Sequence, residues 1–206
     1  MRMKKLFKKI KNTKEKTETV KLRTSLNIKD APGRCASFLS GGCYFGKRLE
    51  DFLNYDDNKL EHNHHYIQHA FPLKEKSKYN ITAPTLTDDE IHWIRSEYGN
   101  DTRYNLKKMF IRMLAFYGFS YDNETIKEAA NFPKRSRIWL TPNNHNMKRI
   151  SRILRSLAIL GLEDESTAFY TALLAIAEKN PKIISKSVLA YWTSAVNAGK
   201  KKNEII

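Results

Sequence analysis

Asn144-His-Asn-Met-Lys-Arg-Ile-Ser-Arg-Ile-Leu-Arg-Ser-Leu-Ala-Ile-Leu160 decides the fold class. Ile150, Ile153, Leu154, Leu157 and Leu160 recur at steps of three and four, so they form one apolar stripe along an α-helix. Arg149, Arg152 and Arg155 line the adjacent polar flank, and Gly161 is placed to stop the helix. The same period extends outward in both directions. Upstream, Thr87-Asp-Asp-Glu90 reads as a capping box. Ile91, Ile94 and Tyr98 follow on one face, and Gly99 supplies a left-handed stop. A helix is expected from near Thr102, with Leu106, Met109, Phe110, Met113 and Tyr117 inward and Gly118 at its end. Downstream, one helix is expected from about Thr167 to Lys179. After the interruption at Pro181, a last helix carries Val188, Leu189, Trp192 and Val196. No run alternates as a strand would, and no internal repeat is found. The expected class is all-α.

The 206 residues suit one domain, and 41% apolar with 11% aromatic residues suffice for a packed core. The longest apolar stretch, residues 168–177, falls far short of the ~20 residues that span a bilayer. The opening MRMKKLFKKIKN is charged but no apolar region follows it, so secretion is not expected. The net charge of +15 is unevenly spread: residues 1–34 hold 12 basic and 3 acidic side chains, whereas 35–199 hold 22 and 18. The expected organisation is a basic, flexible and disordered arm at 1–34, a single helical domain at 35–199 and a basic tail at 200–206. Lys4, Lys5, Lys8, Lys9 and Lys11, interleaved with Met3, Leu6, Phe7 and Ile10, are candidates for nucleic-acid or anionic-membrane contact. A solvated tail is the plain alternative. Residues 30–46, rich in Gly, Ser and Pro, read as loop. Cys35 and Cys43 within it are spaced unlike zinc ligands and read as reduced thiols.

The most unusual stretch is Glu61-His-Asn-His-His-Tyr-Ile-Gln-His69. Projected as one helix, His62, His65 and His69 share a face, with Leu60, His64, Ile67 and Phe71 opposite. His65 and His69 have metal-competent spacing, and Glu61 could join them. Three ligands from one helix converge poorly on one ion, and a solvated polar face is the plainer reading. There is no phosphate-binding loop, nucleophile elbow or H-E-x-x-H sequence.

Glu50-Asp-Phe-Leu53, Tyr55-Asp56, Leu60-Glu-His-Asn-His64, Tyr66-Ile-Gln68 and Phe71-Pro-Leu73 occur in that order. Ala83, Leu86-Thr87 and Glu90-Ile91 follow, and then His145-Asn146, the Arg149–Leu157 run and Leu160-Gly161. This order resembles the opioid growth factor receptor conserved-region family over roughly 45–197. Where the family usually has Trp-Leu, the chain has His69-Ala70. Vertebrate members carry long repetitive tails and this chain stops soon after the domain, so it resembles a minimal or non-animal member. His65 and His69 are peculiar to this sequence, so no metal site and no cofactor is assigned.

The resemblance implies receptor activity for an opioid-type peptide outside the G-protein-coupled class, linked to growth regulation. It also implies an intracellular protein, cytoplasmic or nuclear or peripheral at a membrane. Candidate peptide-binding residues are drawn from the signature blocks: Glu61, His62, His64, Tyr66, Gln68, Trp93, His145, Asn146, Arg149 and Arg152. Glu61 would meet a peptide ammonium, Tyr66 or Trp93 an aromatic side chain, and Arg149 or Arg152 a carboxylate. The alternatives are a nucleic-acid or membrane-surface adaptor acting through the basic arm and the 148–155 Arg/Lys row and, less favoured, an enzyme using the His62/His64 segment. No catalytic residue is assigned.

Overall fold

The computed structural model describes residues 30–202, so Lys4, Lys5, Lys8, Lys9 and Lys11 lie outside it. The described residues form ten α-helices and one two-stranded hairpin, which makes the fold all-α as expected. The first four helices are short: α1 Gly33–Leu39, α2 Leu49–Leu53, α3 Asp57–His62 and α4 Tyr66–Ala70. They gather against α5 Asp88–Arg95 and the long α6 Asn100–Tyr117. After the hairpin comes α7 Phe132–Trp139. Then α8 Asn146–Ile159, α9 Glu163–Lys179 and α10 Lys186–Val196 pack on one another. A short helix holds few internal bonds per ordered residue and depends on what it packs against. Here the Phe38, Leu60, Tyr66 and Phe71 side chains provide that packing, all buried in the same core as Phe110, Ile153, Leu157 and Phe169.

The capping box forms as read. The Thr87 hydroxyl accepts from the Glu90 amide at 3.1 Å, and the Glu90 carboxylate accepts from the Thr87 amide at 2.9 Å. Gly118 and Gly161 end α6 and α8 with φ of 89° and 86°, the left-handed stops expected of them. Gly99 differs. The α5 helix ends at Arg95, Tyr98 is solvent-exposed, and the Gly99 φ is −87°. Gly99 is needed for space instead: a Cβ there would lie 2.2 Å from the Ile94 carbonyl oxygen.

Three further expectations are corrected. Residues 30–46 contain α1, whose Cys35, Ala36, Phe38 and Leu39 are buried. Pro32 offers no side-chain cap, so the open amides of Cys35 and Ala36 donate to Glu90 Oε1 at 2.7 and 3.1 Å. A local reading misses this helix because its cap is 55 residues away. Both cysteines are free thiols, and burial raises the Cys35 pKa. Residues 119–128 form a hairpin, β1 Phe119–Asp122 with β2 Thr125–Glu128, pairing Phe119 with Glu128 and Tyr121 with Ile126. Asn123 and Glu124 both take positive φ, the type I′ requirement, and Phe119 and Ile126 turn into the core. Finally, residues 60–71 are not one helix. The chain breaks between His62 and Tyr66, so the projection placing His62, His65 and His69 on one stripe does not apply. No helix among the described residues is long and apolar enough to cross a membrane.

Glu90 thus closes the starts of both α5 and α1. Glu90→Ala removes the cap and leaves the Cys35 and Ala36 amides without an acceptor. The expected loss is about 2–4 kcal/mol, from the usual values for a lost cap and for buried unmet donors. Urea unfolding of the intact chain checks it, and a loss under about 0.5 kcal/mol, the range of ordinary surface substitutions, would reject this role.

Candidate functional site

The site is organised by Arg149, in the first half of α8. Its side chain is 5% exposed, so it is no solvated flank. The guanidinium donates to the Leu60 carbonyl at 2.9 Å, the Glu61 carbonyl at 3.1 Å and the Asn63 carbonyl at 3.2 Å. These carbonyls lie where α3 ends, at the negative pole of the helix. Arg149 also donates to His64 Nδ1 at 3.1 Å. A guanidinium can only donate, so Nδ1 accepts and the neutral His64 ring carries its proton on Nε2. Below Arg149, at 5.7 Å, lies the Tyr66 ring.

Glu61 completes this knot. Its carboxylate accepts from Asn146 Nδ2 at 3.1 Å, lies 3.4 Å from His145 Nε2 and stands 3.8 Å from Arg149. His64 and His145 meet edge to face at 5.2 Å. Partial burial first, then the Arg149 charge, holds both imidazoles below the ordinary histidine pKa, and Glu61 opposes this only in part. Burial lowers His69 as well. Its ring packs against Phe38, Tyr44 and Phe52 at 6.0, 5.2 and 6.4 Å.

Glu61, His64, Tyr66, Gln68, His145, Asn146, Arg149 and Arg152 are therefore drawn together, but to different depths. Tyr66 is fully buried, with its hydroxyl 3.5 Å from Met113 Sδ. Asn146 and Gln68 are buried. In the orientation that gives both amide atoms partners, Gln68 donates to the His64 and His65 carbonyls at 2.7 and 3.1 Å. Arg152 donates to the Phe71 carbonyl at 2.9 Å, capping the end of α4 as Arg149 caps α3. His62 is exposed, its Nδ1 on the Asn58 carbonyl at 2.9 Å. Trp93 sits apart on α5. Among the described residues no three His, Cys, Asp or Glu side chains are grouped to hold a metal ion.

Beside this knot opens a cleft of about 530 Å³ between α8 and residues 76–79. Ile67 and Gln68 form its floor, His64 and His145 one end, and Arg149 and Arg152 its inner wall. Its rim is Lys76, Lys78, Tyr79 and Lys148; the first three are not anticipated from the sequence, and Lys148 reads there only as part of the basic 148–155 row. Lys148 Nζ donates to the Tyr79 hydroxyl at 2.9 Å across the opening. That contact lowers the Tyr79 pKa and raises that of Lys148. The one Lys in a row of Arg residues was the available signal, since Lys148 points to solvent where its Arg neighbours bind carbonyls.

Two outcomes follow from this geometry. Arg149→Ala strips buried carbonyls of their donors and is expected to cost about 3–5 kcal/mol. Arg149→Lys does not restore it, because one ammonium cannot reproduce the fork. Chemical denaturation measures both, and wild-type stability in Arg149→Lys would overturn the fork's role. The second outcome concerns pH. His64, His145 and His69 favour the neutral ring when folded, so the unfolded chain binds more protons below about pH 6.5. Stability is full above that value and falls as pH drops through it toward the depressed folded values. A denaturation series across this range checks the slope, and the His64→Gln/His145→Gln double variant is expected to flatten it, leaving the His69 part.

The chain matches the family described as the Opioid growth factor receptor (OGFr) conserved region over residues 33–206. It is 35% identical over 170 residues to the opioid growth factor receptor of Rattus norvegicus, covering 78% of this chain and 28% of that protein. Identity to the opioid growth factor receptor of Homo sapiens is 33% over 177 residues, covering 82% of this chain and 25% of that protein. To opioid growth factor receptor-like protein 1 of Mus musculus it is 32% over 168 residues, covering 78% and 35%. The chain therefore spans only about a quarter to a third of the length of these relatives. No solved structure gives a significant match. The length of the match and the level of identity establish that this chain belongs to the opioid growth factor receptor conserved-region family.

Proposed function

We propose that the chain is a peptide-binding module and that the cleft between α8 and residues 76–79 receives the carboxylate end of a short peptide. The observation that carries this reading is the sign of the lining. Lys76, Lys78, Lys148, Arg149 and Arg152 face the cleft, and among the described residues no carboxylate does. A peptide carboxylate is the complementary group, and charge-assisted bonds to it gain strength beside partly buried walls. Ile67 gives an apolar floor, and the exposed Tyr79 ring gives a face for an aromatic side chain. Glu61 acts in this reading by fixing His145, Asn146 and Arg149, since those groups already engage its oxygens. The names of the relatives, receptors for an opioid growth factor, support a peptide as the ligand, and the resemblance points to an opioid pentapeptide. The alternative adaptor role rests on the basic arm, whose lysines lie outside the described residues, and on the 148–155 Arg/Lys row, where Arg149 and Arg152 are already engaged by carbonyls.

The test is calorimetric titration of Met-enkephalin into the intact chain at low and high salt. Saturable one-to-one binding that survives high salt is expected. The C-terminally amidated peptide is expected to bind roughly tenfold more weakly, about 1.4 kcal/mol. Tyr79→Ala is expected to lose roughly five- to tenfold, the usual worth of an aromatic contact. No heat at millimolar peptide would reject the reading. Salt-sensitive binding to RNA or anionic vesicles in its place would favour the adaptor.

A further inference from the structure

A second groove, of about 690 Å³, opens on the other side of Lys148, between the start of α8 and α10. It shares only Lys148 with the cleft beside it. Met147 forms its floor, half-buried Ile183 and Val188 one wall, and the exposed Tyr191 its lip. Lys148 and Lys182 are both exposed and also line it. As in the neighbouring cleft, no carboxylate among the described residues lines it. An apolar trough bordered by cations of one sign calls for a ligand that is apolar at its centre and acidic around it.

We propose that this groove docks an acidic linear segment of a partner protein. An apolar side chain of the segment sits on Met147, Val188 and Tyr191, and flanking carboxylates pair with Lys148 and Lys182. Charge decides against the nearest other occupants. A second copy of this chain brings another +15, and its own N-terminal 34 residues are strongly basic, so both meet the groove with like charge. The concave apolar floor suits a side chain better than a phosphate backbone. Ser185, the N-cap of α10, lies at the same end, so the positive pole of that helix adds to the lysine field. The inference does not rest on the peptide reading of the adjoining cleft.

The probe is a synthetic octapeptide, DEDLFDED, blocked at both ends and titrated into the isotopically labelled full-length chain while amide and side-chain shifts are followed. Saturable changes are expected at Ile183, Val188 and Tyr191. Lys182→Glu and Val188→Asp alter exposed or half-exposed positions. Each is expected to weaken binding by at least roughly tenfold, with the melting temperature retained. The neutral peptide NQNLFNQN and the anchorless DEDGGDED are expected to bind at least as weakly. Val188 lines only this groove, so Val188→Asp leaves any binding of Met-enkephalin at the neighbouring cleft unchanged, which separates this result from that for the pentapeptide. The proposal is overturned if the shifts fall outside the groove, if Lys182→Glu and Val188→Asp bind like the wild type, or if the control peptides bind as well as the probe. Displacement of the probe by poly-uridylate RNA with the same footprint would also overturn it, since the groove would then be a nucleic-acid surface.

Discussion

The guanidinium of Arg149, seated on the open carbonyls at the end of α3, is the interaction on which the rest of this structure depends. A helix of six residues closes few of its own hydrogen bonds, and its last carbonyls must find donors elsewhere. Arg149 supplies them from a residue more than eighty positions along the chain. Burying its charge is costly, and the compensation is visible: five acceptors, a carboxylate at 3.8 Å and an aromatic ring beneath. Glu61, His64, His145 and Asn146 owe their places to this arrangement, and so does the inner wall of the cleft.

The device recurs. Arg152 reaches the Phe71 carbonyl after α4, Arg103 the Ser96 carbonyl after α5, and Arg135 the Phe116 carbonyl near the end of α6. Arg95 reaches the Ile159 carbonyl at the end of α8. Each cation meets the negative end of a helix and carries donors in a fixed fork, which suits Arg and not Lys. Several arginines of the helical body are thus engaged within the fold. Lys76, Lys78, Lys148 and Lys182 are exposed instead, and they border the two adjoining clefts.

This division also explains what the family resemblance consists of. The block from Leu60 to Leu73 and the block from His145 to Leu157 meet each other. Arg149, Arg152 and Ser156 on one donate to the carbonyls of Leu60, Phe71 and Pro72 on the other. Several of the shared residues therefore hold the fold together, as Tyr66 and Asn146 do from fully buried positions. Tyr79 and Lys148, at the mouth of the cleft, lie outside the quoted signature.

The sequence by itself determined the all-α class, the long helices with their inward stripes, the Thr87–Glu90 cap and the glycine stops after α6 and α8. These are legible because spacing along one chain sets them, through the helical period and the local need to close helix ends. Tertiary structure alone decided what distant groups do to one another. It placed a carboxylate from Glu90 on the start of α1, turned the four-residue runs after Gly118 into a hairpin, and broke the histidine segment at residues 63–65. It also separated arginines that bind carbonyls from a lysine that faces solvent on the same helix. No pattern of spacing carries that distinction, because the open carbonyls that make it belong to another part of the chain.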